Sequence, residues 1–243
     1  MGKLFVFVGL LISTFGFACK CDYQSFGENF ANNNFVAEIE ILKVYNVDSK
    51  TDEDDRFYKA DIKILKLYKG EAISSILIRG KIEKTYRSAC EIAVSKGDRF
   101  LIYLNAEENF GMSACTPKIN LDAENIHKER KALEFLISQK ITNTNCFYFS
   151  GDYFKKFKNL KPENNFAVYK LKVNEQSKVE SIAVVQDFGT SKDSDIKNVI
   201  KENFVMLKDF MTEVKNEEVV LVLFFDTENE DVISNFSYLP DYH

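Results

Sequence analysis

The chain has 243 residues, 45% of them hydrophobic and 28% charged, with a formal net charge of -5. That is enough apolar material for one large domain or two small ones. The charges are of both signs and interspersed, which argues against a nucleic-acid binder, since that class carries a basic face.

The first residues read as an export leader. Lys3 supplies a positive start, Leu4 to Ile12 a short apolar run, and Gly16-Phe17-Ala18 a small-x-small cleavage site. The apolar run falls short of the about 20 residues that a membrane span needs. A cysteine after Ala18 also suits a lipoprotein signal, but Gly16 and Phe17 fit that pattern poorly, so simple export is expected. Cleavage after Ala18 makes Cys19 the first mature residue and, with Lys3 gone, takes the net charge to -6. The expected location is the periplasm, the cell surface or the medium.

Five cysteines follow: Cys19, Cys21, Cys90, Cys115 and Cys146. In an exported chain they imply disulfides with one thiol left over. Any four of them allow three pairings, and spacing alone does not choose. A bridge closing a loop of this size adds about 4 kcal/mol on the chain-entropy model.

After Cys19-Lys20-Cys21-Asp22, the residues Phe26, Phe30 and Ala31 sit at helical spacing, and Asn32-Asn33-Asn34 ends that helix. Phe35 to Tyr45 alternates in its middle and predicts a strand. Asp52-Glu53-Asp54-Asp55 reads as a charged loop, lacking the glycine turn and closing Glu of a calcium loop. Further strands are expected at Phe57 to Tyr68, ending in the Lys69-Gly70 turn, at Ser75 to Arg79, at Arg99 to Leu104 and, briefly, at Met112 to Cys115. Five strands with polar turns and no long helix between them suit a small closed barrel. Asp122 then opens an amphipathic helix with Ala123, Ile126, Leu133, Leu136 and Ile137 on one face.

From about Asn143 the character changes. Phe147, Tyr148, Phe149, Tyr153 and Phe154 form an aromatic seam, read as core rather than as a ligand platform. A hairpin of Phe166 to Val173 and Val179 to Val185 follows. Next comes a helix from Asp193 to Val214, with Ile196, Val199, Ile200 and Phe204 among its apolar stripe. Glu218 to Phe225 is nearly all apolar, as a central strand would be. The expected organisation is therefore a leader at 1–18, a barrel with a C-terminal helix at 19–142, and a small α+β unit at 143–243. The core of that last unit lies at about 165–226, in the order β-β-α-β with the helix covering one sheet face.

Nothing in the chain reads as an enzyme. It has two histidines, His127 and His243, and neither a Ser-His-Asp set nor a His-Glu-x-x-His motif is offered. Cys146 has no basic partner near it in sequence, and no cofactor is implied.

The Cys-x-Cys start, Phe30-Ala31-Asn32 before Phe35-Val36, and Ile64-Leu65-Lys66-Leu67-Tyr68-Lys69-Gly70 make a recognisable series. Cys90 ahead of Gly97 and Phe100-Leu101-Ile102, then Cys115 before the helix, complete it. On these residues Cys19 to Ile137 resembles the netrin-like N-terminal domain of the tissue inhibitors of metalloproteinases and the exported bacterial proteins that share it. The resemblance implies an OB-fold barrel with bridges Cys19–Cys90 and Cys21–Cys115, and an inhibitory wedge of Cys19, Lys20, Cys21 and Asp22. It further implies that the Cys19 amine and carbonyl bind the zinc of a target protease. Lys20 stands where the family carries a small Thr or Ser. Ala31 stands where a third bridge would begin, which leaves Cys146 unpaired. A second expectation is an envelope adaptor that uses the barrel and the C-terminal sheet as binding surfaces, without inhibition.

Overall fold

The computed structural model describes residues 21, 24–46, 57–82, 90–124, 126–141, 151–176, 178–204, 217–226, 232–235 and 237. Helix α1 (Phe26–Asn32) opens on a reciprocal cap. Ser25 Oγ accepts the Glu28 amide, and the Glu28 carboxylate accepts the Ser25 amide at 2.7 Å. Two amides that a short helix would leave unmatched are thereby satisfied.

Strands β1 (Phe35–Asn46), β2 (Phe57–Lys69) and β3 (Ser75–Arg79) form an antiparallel meander, and β4 (Arg99–Leu104) lies along the other side of β1. The next two strands are short and serve opposite ends of this sheet. β5 (Gly111–Met112) runs parallel to β3, while β6 (Lys118–Asn120) runs antiparallel to β4. The single stretch 111–120 thus reaches both flanks, which requires the six-stranded sheet to curl into a half-barrel. Three register irregularities between β1 and β2 help it bend. Its concave side is filled by Ile39, Ile41, Tyr58, Ala60, Ile76 and Ile78, with others. The Tyr58 hydroxyl accepts the Val94 amide at 2.9 Å, which holds the 90–95 loop against that core.

Helix α2 (Ile126–Ser138) and α1 cover the convex side. The second sheet covers them in turn, with strands β7 (Phe166–Val173), β8 (Val179–Gln186), β9 (Glu217–Asp226) and β10 (Val232–Ser234). Its order is β10-β9-β7-β8, antiparallel throughout. β9 is central and buried on both sides. Val220, Val222 and Phe224 meet α1, α2 and the convex face of the first sheet, whereas Val219, Leu221, Leu223 and Phe225 meet helix α3 (Asp193–Asn203). β7 divides its side chains in the same way, by the period of two that a strand imposes. The molecule is thus an α+β arrangement of half-barrel, helices, sheet and helix in successive layers.

Five details differ from the sequence expectation. The half-barrel has a sixth strand, β6, too short to announce itself. Helix α2 begins at Ile126 and not at Asp122, whose carboxylate is bonded to Arg99 across the surface. Ile137 is exposed, not part of the packed stripe. A tenth strand, β10, extends the second sheet beyond β9. Helix α3 ends at Asn203, because Phe204 takes extended backbone angles while its amide bonds to the Ile200 carbonyl; the unbroken helix expected to Val214 therefore stops there, and residues 205–214 lie outside the described residues. So do the leader, the Asp52–Asp55 cluster, Cys146 and His243.

Candidate functional site: the stapled face of the half-barrel

The loop between β5 and β6 carries Cys115, whose sulfur is bonded to that of Cys21 with the two Cα atoms 5.1 Å apart. This bridge joins positions 94 residues apart and fixes Cys21, ahead of α1, to the rim of the half-barrel. Of the residues expected in the wedge, Cys21 is in place, while Cys19, Lys20 and Asp22 lie outside the described residues. Cys90 is disulfide-bonded as well. Its carbonyl accepts the Ala114 amide at 3.1 Å, so both disulfide-bonded positions converge on one loop.

That loop is held by a half-buried cation. Lys118 Nζ donates to the carbonyls of Ser113, Ala114 and Thr116 at 3.0, 2.9 and 3.3 Å. Three carbonyls can accept all three ammonium protons. Burial nevertheless pulls the Lys118 pKa down to about 8. Thr116 Oγ1 accepts the Ser113 amide, and Ser113 Oγ accepts the Cys115 amide. The segment bearing the staple therefore has its own polar scaffold.

Beside the bridge is a cleft of about 290 Å³, lined by Gln24, Asn32, Asn33, Asn105, Ser113 and Thr116 among others. Asn105 donates to the Asn32 carbonyl, and Asn34 Oδ1 accepts the Ala106 amide, which ties the end of α1 to the turn after β4. The named side chains are neutral amides and hydroxyls, suited to peptide groups rather than to ions. Among the described residues, no three of His, Cys, Asp and Glu are grouped to hold a metal ion. His127 is exposed on α2.

No protein-family model matches the chain, and no curated protein shows significant similarity to it.

Behind this face lie two polar centres that motif reading passes over. Glu38 of β1 takes a two-pronged bond from Arg130 of α2, at 2.7 and 2.9 Å, and accepts the Tyr68 hydroxyl. Burial pushes the Glu38 carboxyl up, but Arg130 and Tyr68 outweigh it and hold the group below the usual carboxylate range. Glu129, the next residue to Arg130, is buried and accepts the hydroxyls of Tyr103 and Ser237. One signal for Glu129 was present in the sequence. It shares the helical spacing of Ile126, Leu133 and Leu136, and an acid on an apolar stripe must find partners or a proton.

Proposed function

We propose that the mature chain is an exported, non-enzymatic protein of the metalloproteinase-inhibitor type, whose Cys19 α-amine and carbonyl bind the zinc of a target protease. The observation that carries this reading is the Cys21–Cys115 bridge, seated on a loop that Lys118 clamps. An anchor two residues after Cys19 holds the N-terminus in place before any partner arrives, which lowers the entropy lost on binding. The strand connections support an OB-type barrel: a β1-β2-β3 meander, β4 against β1, and residues 111–120 acting as one broken strand between β3 and β4. On this reading Cys90 pairs with Cys19, and Cys146 remains a free thiol.

The chemistry is straightforward. A free α-amine has a pKa of about 8, so a useful fraction is neutral near pH 7. Its nitrogen and the adjacent carbonyl oxygen can take the zinc position otherwise held by water. Lys20 then enters the protease pocket that selects substrates. An ammonium stranded in an apolar pocket would cost several kcal/mol, so the matching pocket is acidic or open to water at its far end.

Two variants separate zinc binding from selectivity. One added Ala before Cys19 displaces the amine and abolishes inhibition of any target. Lys20→Thr preserves the zinc contact and shifts preference toward proteases with apolar pockets. An Ala-extended protein that inhibits as well as the mature form would remove the N-terminus as the active element. Peptide mapping without reduction is expected to return Cys19–Cys90 and Cys21–Cys115 peptides, with Cys146 alkylated.

A further inference from the structure

The second sheet has two edges, and they are finished differently. β10 is three residues long, and the chain beyond it is tied to α1, where the Asn235 carbonyl accepts the Phe26 amide at 3.2 Å. β8 is eight residues long and pairs with β7. Among the described residues no strand pairs with its outer side, so alternate residues turn their N–H and C=O groups to solvent.

An edge of that length ordinarily carries a guard of lysine, proline or inward-pointing charge. The part of β2 that runs past β3 has one, in Lys63, Lys66 and Lys69. β8 reads Val179-Glu180-Ser181-Ile182-Ala183-Val184-Val185-Gln186, with no lysine, no proline and a single charge. That charge is matched within the sheet, because Glu180 is bonded to Lys172 of β7 at 3.4 Å. Register irregularities fall towards the two ends of the pair, so Ser181 to Val184 runs straight against Lys172 to Tyr169. Both ends are also pinned. The Lys178 amide donates to Asn174 Oδ1 at 3.0 Å, and Gln186 Nε2 donates to the Phe166 carbonyl at 2.9 Å. The edge is therefore held in strand form before anything meets it, which lowers the cost of binding.

We propose that β8 is a dimer edge: it adds antiparallel to β8 of a second copy of this chain, about a two-fold axis at Ile182, and joins the two four-stranded sheets into one. The occupant is read from the strand's complementarity to itself, as an isologous contact requires. With Ile182 opposite its own copy, Val179 meets Val185, Ser181 meets Ala183 and Glu180 meets Val184. Apolar faces apolar, small faces small, and no two like charges stand opposite. A centre at Ala183 is poorer, since it sets Val179 against the acid Asp187. A two-fold axis normal to the sheet keeps each face on its own side. Ile182, packed with the α3 core, and Val185, packed with the α1–α2 layer, thus keep like neighbours in both copies. The contact lies on the second sheet and the disulfide staple on the first, so the dimer does not depend on whether the N-terminus binds a protease.

A single strand pair is a small interface, and the dimer should dissociate between about 1 mM and 1 μM. Sedimentation velocity of the mature chain over that range reads it. Val184 is 46% exposed, so its replacement leaves the core untouched. Val184→Glu sets a glutamate against the partner's Glu180 twice over and should raise the dissociation constant about tenfold or more. Val184→Lys sets an ammonium against the same Glu180 and should leave the dimer at least as tight as wild type. A chain that is monomeric at about 1 mM overturns the proposal. So does a dimer that Val184→Glu leaves unchanged, or one that both variants weaken alike.

Discussion

Removing Arg130 would leave Glu38 as a buried carboxylate supported by the Tyr68 hydroxyl and the more distant Lys66 charge. Arg130→Leu is expected to cost less than the about 3–5 kcal/mol of a fully buried pair, because the Arg130 side chain is itself 28% exposed. The pH dependence has a definite sign. Glu38 is held below the usual range, so its contribution is present above the unfolded carboxyl pKa and is lost as pH falls through the folded one. Acid unfolding of Arg130→Leu should therefore be shallower than that of wild type in denaturant titrations at stepped pH. Equal slopes would mean that the pair contributes nothing to acid stability. This pair was not legible in the sequence, since strand alternation puts Glu38 on a face without saying that an arginine 92 residues later shares it. The Cys21–Cys115 pairing was not legible from spacing either, which left three pairings open; it was expected only from the resemblance.

Among elements, those with a sustained period declared themselves: β1, β2, β7, β9 and α1 lie close to where alternation and helical spacing put them. The broken β5–β6 strand was legible only in part: a short strand was expected at Met112 to Cys115 and β5 overlaps it at Met112, while the three-residue β6 carries no period. Asp122 misled, its carboxylate being bonded to Arg99 across the surface. The turn after β2 was readable from Lys69-Gly70, and its requirement is strict. Gly70 has φ +88°, and a Cβ there would lie 2.3 Å from the Asn34 carbonyl oxygen. Both the backbone angle and the close approach exclude a side chain, so Gly70→Ala should lose at least about 1–3 kcal/mol. A thermal melt is the check, and an unchanged midpoint would show that the β2 turn can move away from α1.

At the scale of the molecule, the Cys21–Cys115 bridge closes a 94-residue loop and contains all but the last strand of the half-barrel within it. Chain entropy assigns such a loop about 4–5 kcal/mol. A Cys21→Ser, Cys115→Ser double variant should therefore unfold at lower denaturant concentration, with the half-barrel opening before the second sheet in hydrogen exchange. Simultaneous loss of both sheets would show that the shared layer of α1 and α2 makes them one cooperative unit. The bridge fits an oxidising compartment, and no described helix is long and apolar enough to cross a membrane. The layering itself was only half legible, because amphipathic spacing identifies a face to be covered but not which distant sheet covers it.

The bond between the Phe26 amide and the Asn235 carbonyl has a consequence for the order in which the chain can be completed. Synthesis runs from the N-terminus, so α1 emerges first, while the strands that cover its phenylalanines emerge last. Phe26 touches Phe224 edge-on, with ring centroids 5.2 Å apart, and until β9 exists that ring has no lid. A nascent chain stalled before Glu217 would hold a finished half-barrel with a greasy back, the state in which a holding chaperone binds best and in which two unfinished copies stick together. The final strands of the chain are what make its first helix safe to expose to water.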